Sequence, residues 1–161
     1  MDGFMPEADL GEPCAQMLTY DFDNDGDADV VSSSAHAYGV WWYEQVFDKD
    51  KKSSFITHTI DSTFSESHSL VLEDVNRDGL PDLITGKRFF AHQGSGPGGM
   101  EPAFIYWFEL LKDGKGKPVW VKHLIDDNSG VGIQSGLKWS GVESAPSRPQ
   151  SLSNLEIWLH P

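Results

Sequence analysis

Asp21, Asp23, Asp25 and Asp29 stand at relative positions 1, 3, 5 and 9 of one short segment, with Gly26 at position 6. Asp74, Asn76, Asp78 and Asp82 repeat that spacing, with Gly79 at position 6. Calcium takes six to eight oxygens at about 2.3–2.6 Å, and a tight loop of alternating Asp and Asn side chains around a glycine turn aims several of them at one centre. Magnesium fits less well, because it keeps its waters and demands octahedral geometry. The peptide carbonyl at position 7, of Asp27 or Leu80, completes the set. These eight side chains are the expected metal ligands, and Ca2+ is the expected cofactor. A simpler reading is that Asp-Gly and Asn-x-Asp-Gly are turn formers, but two copies in one carboxylate register favour a metal. An EF-hand is excluded, since it needs a bidentate Glu at position 12, where this chain has Ser32 and Thr85.

Both loops lie inside a longer internal repeat. The segment around Asp21 maps onto that around Asp74 at an offset of 53 residues, whereas Trp42-Tyr43-Glu44 and His58-Thr59-Ile60-Asp61 map onto Trp107-Phe108-Glu109 and His123-Leu124-Ile125-Asp126 at an offset of 65. The change in offset marks an insertion in the second copy, in the Gly/Pro-rich stretch from Ala91 to Pro102, which reads as a loop. Each copy shows β-branched and aromatic runs bounded by turn residues, the pattern of short strands. Strands are expected at 16–22, 29–33, 39–45 and 55–60, and again at 69–75, 82–86, 104–110 and 119–125, with Pro118 harmless at a strand start. The fold class is therefore all-β, built of four-stranded antiparallel β-propeller blades. Two blades do not close a ring that typically has about four to eight, so an incomplete propeller, a fragment of a longer chain, is expected. The expected divisions are a lead-in at 1–15, blade one at 16–61, blade two at 62–126, and at 127–161 the start of a third blade followed by an irregular or frameshifted tail.

The recurring D-x-D-x-D-G-x-x-D loop between strands resembles the calcium loops of FG-GAP and VCBS-type repeats, the family of integrin α-subunit propellers and of many large secreted bacterial proteins. The resemblance spans roughly residues 16–134. It implies a propeller of about seven blades, calcium at the turn from strand one to strand two of each blade, and a secreted, periplasmic or cell-surface location.

If the Asp loops follow strand one, the segments before strand one and after strand two belong to the opposite rim. That rim collects His36, Glu66, His68, Lys87, Arg88 and His92. Imidazoles, an acid and cations converging there would make a sugar-binding or catalytic surface; the ordinary alternative is that any propeller rim gathers charge. His58 and His123 recur within strand four and read as structural. Trp41-Trp42-Tyr43 and Tyr106-Trp107-Phe108 read first as packing, with Trp41 or Tyr106 free to stack on a sugar ring if it points outward. No phosphate-binding Gly-rich loop, G-x-S-x-G or H-E-x-x-H is present, and no catalytic residue is assigned.

Twenty-five acidic against twelve basic residues give a net charge of −13, which disfavours nucleic acid and favours cations. Cys14 is the sole cysteine, and no apolar run reaches membrane-span length. The start lacks the pattern of a signal peptide, which agrees with a missing N-terminus. A third Asp loop is due near residue 139, yet no Asp follows Asp127. A frameshift near Ser135 would explain that loss, leaving the segment 155–159 to pair opportunistically as an edge strand. The expected function is a calcium-binding propeller segment that binds a carbohydrate or protein partner without catalysis. The alternative is part of a sugar-acting propeller enzyme similar to polysaccharide lyases or aldos-2-ulose dehydratases.

Overall fold

A computed structural model describes residues 10, 14–130, 134–139 and 155–160. Most of the expected lead-in, and residues 140–154 of the expected frameshifted tail, lie outside the described residues.

The first sheet is an antiparallel meander of β1 (Cys14–Tyr20), β2 (Asp29–Ser34), β3 (Tyr38–Phe47) and β4 (Ser53–Ser65). The second repeats it with β5 (Leu70–Glu73), β6 (Asp82–Lys87), β7 (Phe104–Lys112) and β8 (Pro118–Asp126). Register is the same in both sheets. Tyr20 faces Asp29 and Glu73 faces Asp82 where each Asp loop closes, while Val31 faces Trp42 and Ile84 faces Trp107 one strand further out. All eight expected strands are present. Strand one ends earlier than its hydrophobic pattern suggests in both copies, because the N–H groups of Phe22 and Val75 donate to the carboxylates of Asp29 and Asp82 instead of extending the ladder.

Burial peaks at the second strand of each sheet, while β1 is half-buried or exposed along its described side chains and β5 mostly half-buried. β6 is buried along its whole length and β2 nearly so, whereas β8 and most of β4 are half-buried or exposed. A strand covered on both faces by neighbouring layers gives the first pattern, and an outermost strand gives the second. β5 lies against β1, and β9 (Gln134–Trp139) lies against β5. Successive innermost strands therefore stand side by side, as blades do around a propeller axis. β10 (Leu155–His160) pairs antiparallel with β9. β9 lies in the segment where a third blade is expected to start, and β10 covers the segment 155–159 expected to pair as an edge strand.

The sheets share one core of Phe22, Val31, Val40, Trp42 and Phe64 from the first repeat with Leu70, Leu83, Phe108 and Leu110 from the second. Fully burying a side chain of this size contributes about 1.5–3 kcal/mol relative to leaving it exposed, so neither sheet holds its inner face without the other. Lys122 fastens the outer edge. Its ammonium lies 2.8 Å from Asp61 Oδ2 and donates to Thr63 Oγ1 at 2.9 Å, over the Tyr106 ring at 3.9 Å. The link from β4 to β5 runs through a buried polar seam, where Ser33 Oγ donates to the Ser67 carbonyl at 2.8 Å and Thr85 Oγ1 to the Ser69 carbonyl at 2.7 Å. Within this seam the chain turns at Glu66 with φ 60°.

Candidate functional site

Two sites occupy opposite rims, because successive turns of an antiparallel meander alternate ends. On the first rim the Asp loops join β1 to β2 and β5 to β6. Asn24 and Arg77 at position 4 have φ near +62° and +63°, and Gly26 and Gly79 have φ 98° and 90°. Nothing lies within 4 Å of a Cβ built at either glycine, so backbone conformation and not space selects glycine there.

The carboxylates within each loop divide the work. Asp21 accepts the N–H groups of Asp25 and Gly26, and Asp74 those of Asp78 and Gly79. The position-9 residues Asp29 and Asp82 are fully buried. Each accepts one backbone N–H from the loop start and one from the next strand, Phe22 and Gln45 for Asp29, Val75 and Leu110 for Asp82. They clamp the loop to the sheet whether or not they also face a metal.

In the first loop, oxygens of Asp21, Asp23 and Asp29 come within 4.8 Å of one another, while Asp25 lies outside that grouping. Asp23 Oδ1 is buried with no hydrogen-bond partner. Burial and the neighbouring Asp25 charge raise the Asp23 pKa. Burial likewise raises Asp29 against the pull of its N–H donors, and pushes Asp82 up to about 6. The Lys117 charge only partly offsets this at Asp23. In the second loop Asn76 replaces the position-3 acid: its amide nitrogen donates to Asp78 and Glu109, and its oxygen accepts the Asp78 N–H. Asp74, Asp78 and Asp82 form no equally close grouping.

Beneath each loop a Trp, Glu and His trio recurs at the 65-residue offset. His58 stacks on Trp42 at 4.3 Å and bonds Glu44 at 2.7 Å; His123 stacks on Trp107 at 4.5 Å and bonds Glu109 at 2.9 Å. Lys117 reaches across from the β7–β8 turn to Glu44 at 2.6 Å and Asp23 at 3.5 Å.

On the opposite rim, five of the six residues gathered by strand alternation converge. Ligand atoms of His36, Glu66, His68 and His92 all lie within 4.8 Å of one another. Arg88 Nη2 stands 3.5 Å from Glu66 Oε2 and 3.1 Å from His92 Nε2. His36 sits in the β2–β3 loop, Glu66 and His68 in the link between sheets, and Arg88 and His92 after β6. A pocket of about 430 Å³ opens there, lined by His36, Glu66, His92, Ser95 and Gly96. Ser95 and Gly96 belong to the insertion, whose Pro97 carbonyl accepts the Ser65 hydroxyl at 2.7 Å and whose Glu101 accepts the Tyr38 hydroxyl at 2.7 Å. The inserted loop is therefore a wall of the pocket. The sixth residue, Lys87, is fully buried, its ammonium has no hydrogen-bond partner, and burial holds its pKa below the usual lysine range. Burial also depresses His68, with the Arg88 charge adding to the effect. Tyr106 packs against Phe104 and Phe64 beneath Lys122, and is not an outward stacking platform.

Consecutive four-stranded antiparallel blades with adjacent innermost strands make this a β-propeller repeat protein. Residues 21–85, from the first residue of the first Asp loop into β6, match the family described as an FG-GAP-like repeat. No curated protein matches the chain, and no solved structure does. Among the described residues, no helix is long and apolar enough to cross a membrane.

Proposed function

We propose that the chain is a calcium-stabilised propeller segment of a secreted or cell-surface protein that presents the rim opposite its Asp loops to a carbohydrate. The observation carrying the calcium assignment is Asp23 Oδ1, buried and unpartnered between Asp21 and Asp29. Lys117 approaches only the other oxygen, Oδ2, at 3.5 Å; a buried ionised oxygen without a donor costs several kcal/mol unless a cation meets it, and a hard oxygen cluster selects calcium. The acidic surface adds long-range attraction for the ion. The open pocket on the other rim offers the side chains of Ser95, His36 and His92 as hydrogen-bond partners for a sugar's hydroxyls beside apolar wall.

A second reading, a sugar-acting enzyme, is favoured by the convergence of His36, Glu66, His68, Arg88 and His92. The two readings share the calcium loops and part on turnover. The test is thermal unfolding of chelator-treated protein with and without Ca2+, followed by glycan-array binding and a lyase assay on any glycan bound. Calcium should raise the melting temperature, by the equivalent of about 2.7 kcal/mol per loop at a hundredfold excess over Kd, and Asp25→Ala with Asp78→Ala should abolish the rise. A folded sample with no calcium response refutes the assignment; bound glycan consumed without added enzyme favours the second reading.

A further inference from the structure

We propose that His36, Glu66, His68 and His92 form a second metal site, chemically distinct from the Asp loops, for a divalent transition ion of the zinc class.

Glu66 carries the argument. Its side chain is wholly buried, yet neither carboxylate oxygen has a hydrogen-bond partner. The atoms around Glu66 Oε2 stand just beyond bonding distance, with His68 Nε2 at 3.6 Å, and His92 Nε2 and Arg88 Nη2 each at 3.5 Å. A carboxylate solvated by its neighbours would draw donors to about 2.7–2.9 Å. Two ligands on one tetrahedral zinc, bonded at about 2.0–2.1 Å, are instead held about 3.3 Å apart. The observed spacing is close to that of co-ligands and longer than that of hydrogen-bonded partners. His68 Nε2 is also buried without a partner, so two of the four candidate ligand groups place unpartnered buried atoms within 4.8 Å of each other.

The surroundings agree. His36 packs edge-on against His92 at 4.5 Å and His68 at 5.4 Å between ring centroids, which turns three imidazoles about one centre. Two of the four residues, Glu66 at φ 60° and His92 at φ 49°, hold left-handed backbone that costs energy for a side-chain-bearing residue. Such strain persists where the surrounding structure fixes it, and it clusters at functional positions. Three nitrogens and one oxygen are a borderline donor set that suits zinc and its neighbours and suits calcium poorly. The ion would border the pocket, since His36, Glu66 and His92 line both, so a bound small molecule would have access to it. Arg88 is the competing explanation, because its guanidinium offers Glu66 a counter-charge without any metal.

The experiment uses the full chain, stripped with a chelator and held in Ca2+ so that the Asp loops are served. Co2+ is titrated first, as a spectroscopic stand-in, and Zn2+ is then used to displace it. The expected result is one equivalent of Co2+ with the visible bands of a four- or five-coordinate nitrogen/oxygen site, displaced by Zn2+ and unaffected by excess Ca2+. His92→Ala, at a half-exposed position, should weaken binding at least tenfold while leaving the calcium response intact. Asp25→Ala with Asp78→Ala should do the reverse. Absence of cobalt bands in folded protein, or affinity unchanged in both His92→Ala and His36→Ala, overturns the proposal and leaves Arg88 as the sole partner of Glu66.

Discussion

Lys122→Met tests how the two blades are joined. The lysine rises from β8 of the second blade to Asp61 and Thr63 on β4 of the first, at 2.8 and 2.9 Å, and covers Tyr106. Asp61 is only 7% exposed and Lys122 30%, so the pair is neither a screened surface bridge nor fully dry. Breaking a buried pair by removing one partner costs about 3–5 kcal/mol, and an exposed pair contributes about 0–1 kcal/mol. Asp61 keeps the N–H and hydroxyl of Thr63, at 2.6 and 2.7 Å, which moderates the loss. A cost of about 2 kcal/mol follows, between those limits. Methionine retains the apolar stem over Tyr106, so the loss is mainly one of charge. The pH dependence is also fixed in sign. Burial pushes Asp61 up, but the bonds from Lys122 and Thr63 outweigh it and hold its pKa below the ordinary carboxylate value. Its contribution is therefore present above about pH 4, the unfolded value, and lost as pH falls through the lower folded value. Urea unfolding of both proteins from pH 3 to 8 measures this. A difference near 2 kcal/mol at pH 7 that shrinks toward pH 3 is expected; one below about 0.5 kcal/mol, or constant with pH, would refute the inter-blade latch.

Other outcomes follow from the same geometry. Asp82→Ala should destabilise the metal-free protein by about 2–5 kcal/mol in urea unfolding, because it strands the buried N–H groups of Val75 and Leu110. Asp78→Ala, at an exposed position, should cost under about 1 kcal/mol in the same chelator-treated state and act instead on the calcium response. Gly86→Ala should lower thermal stability sharply, since its Cβ would stand 2.2 Å from the Phe104 carbonyl on the paired strand; a shift worth about 1–3 kcal/mol is expected for such overpacking. Phe22→Ala, which empties a fully buried position between the sheets, should cost about 3–5 kcal/mol and loosen both blades together by hydrogen exchange.

The blades were legible because their information is local. Strand alternation, the spacing of Asp21 to Asp29 and the turn glycines are all written within a few residues. The strand ends were less so: Phe22 and Val75 look like strand residues, and only the folded loop shows their N–H groups diverted to Asp29 and Asp82. Strand parity alone put His36, Glu66, His68, Arg88 and His92 on one rim. Their convergence depends on sheet-to-sheet packing and on the left-handed turn at Glu66, neither of which leaves a mark in spacing. The Glu44–His58 and Glu109–His123 pairs did leave one, the shared 65-residue offset, but partners on adjacent strands are revealed only by register.

Calcium stoichiometry is the most direct test of the central claim. Equilibrium dialysis of chelator-treated chain against Ca2+ should give two ions per chain, one after Asp25→Ala or Asp78→Ala alone, and none after both. Folded protein that binds no calcium, or that binds two ions in the double variant, would contradict the assignment of the Asp loops.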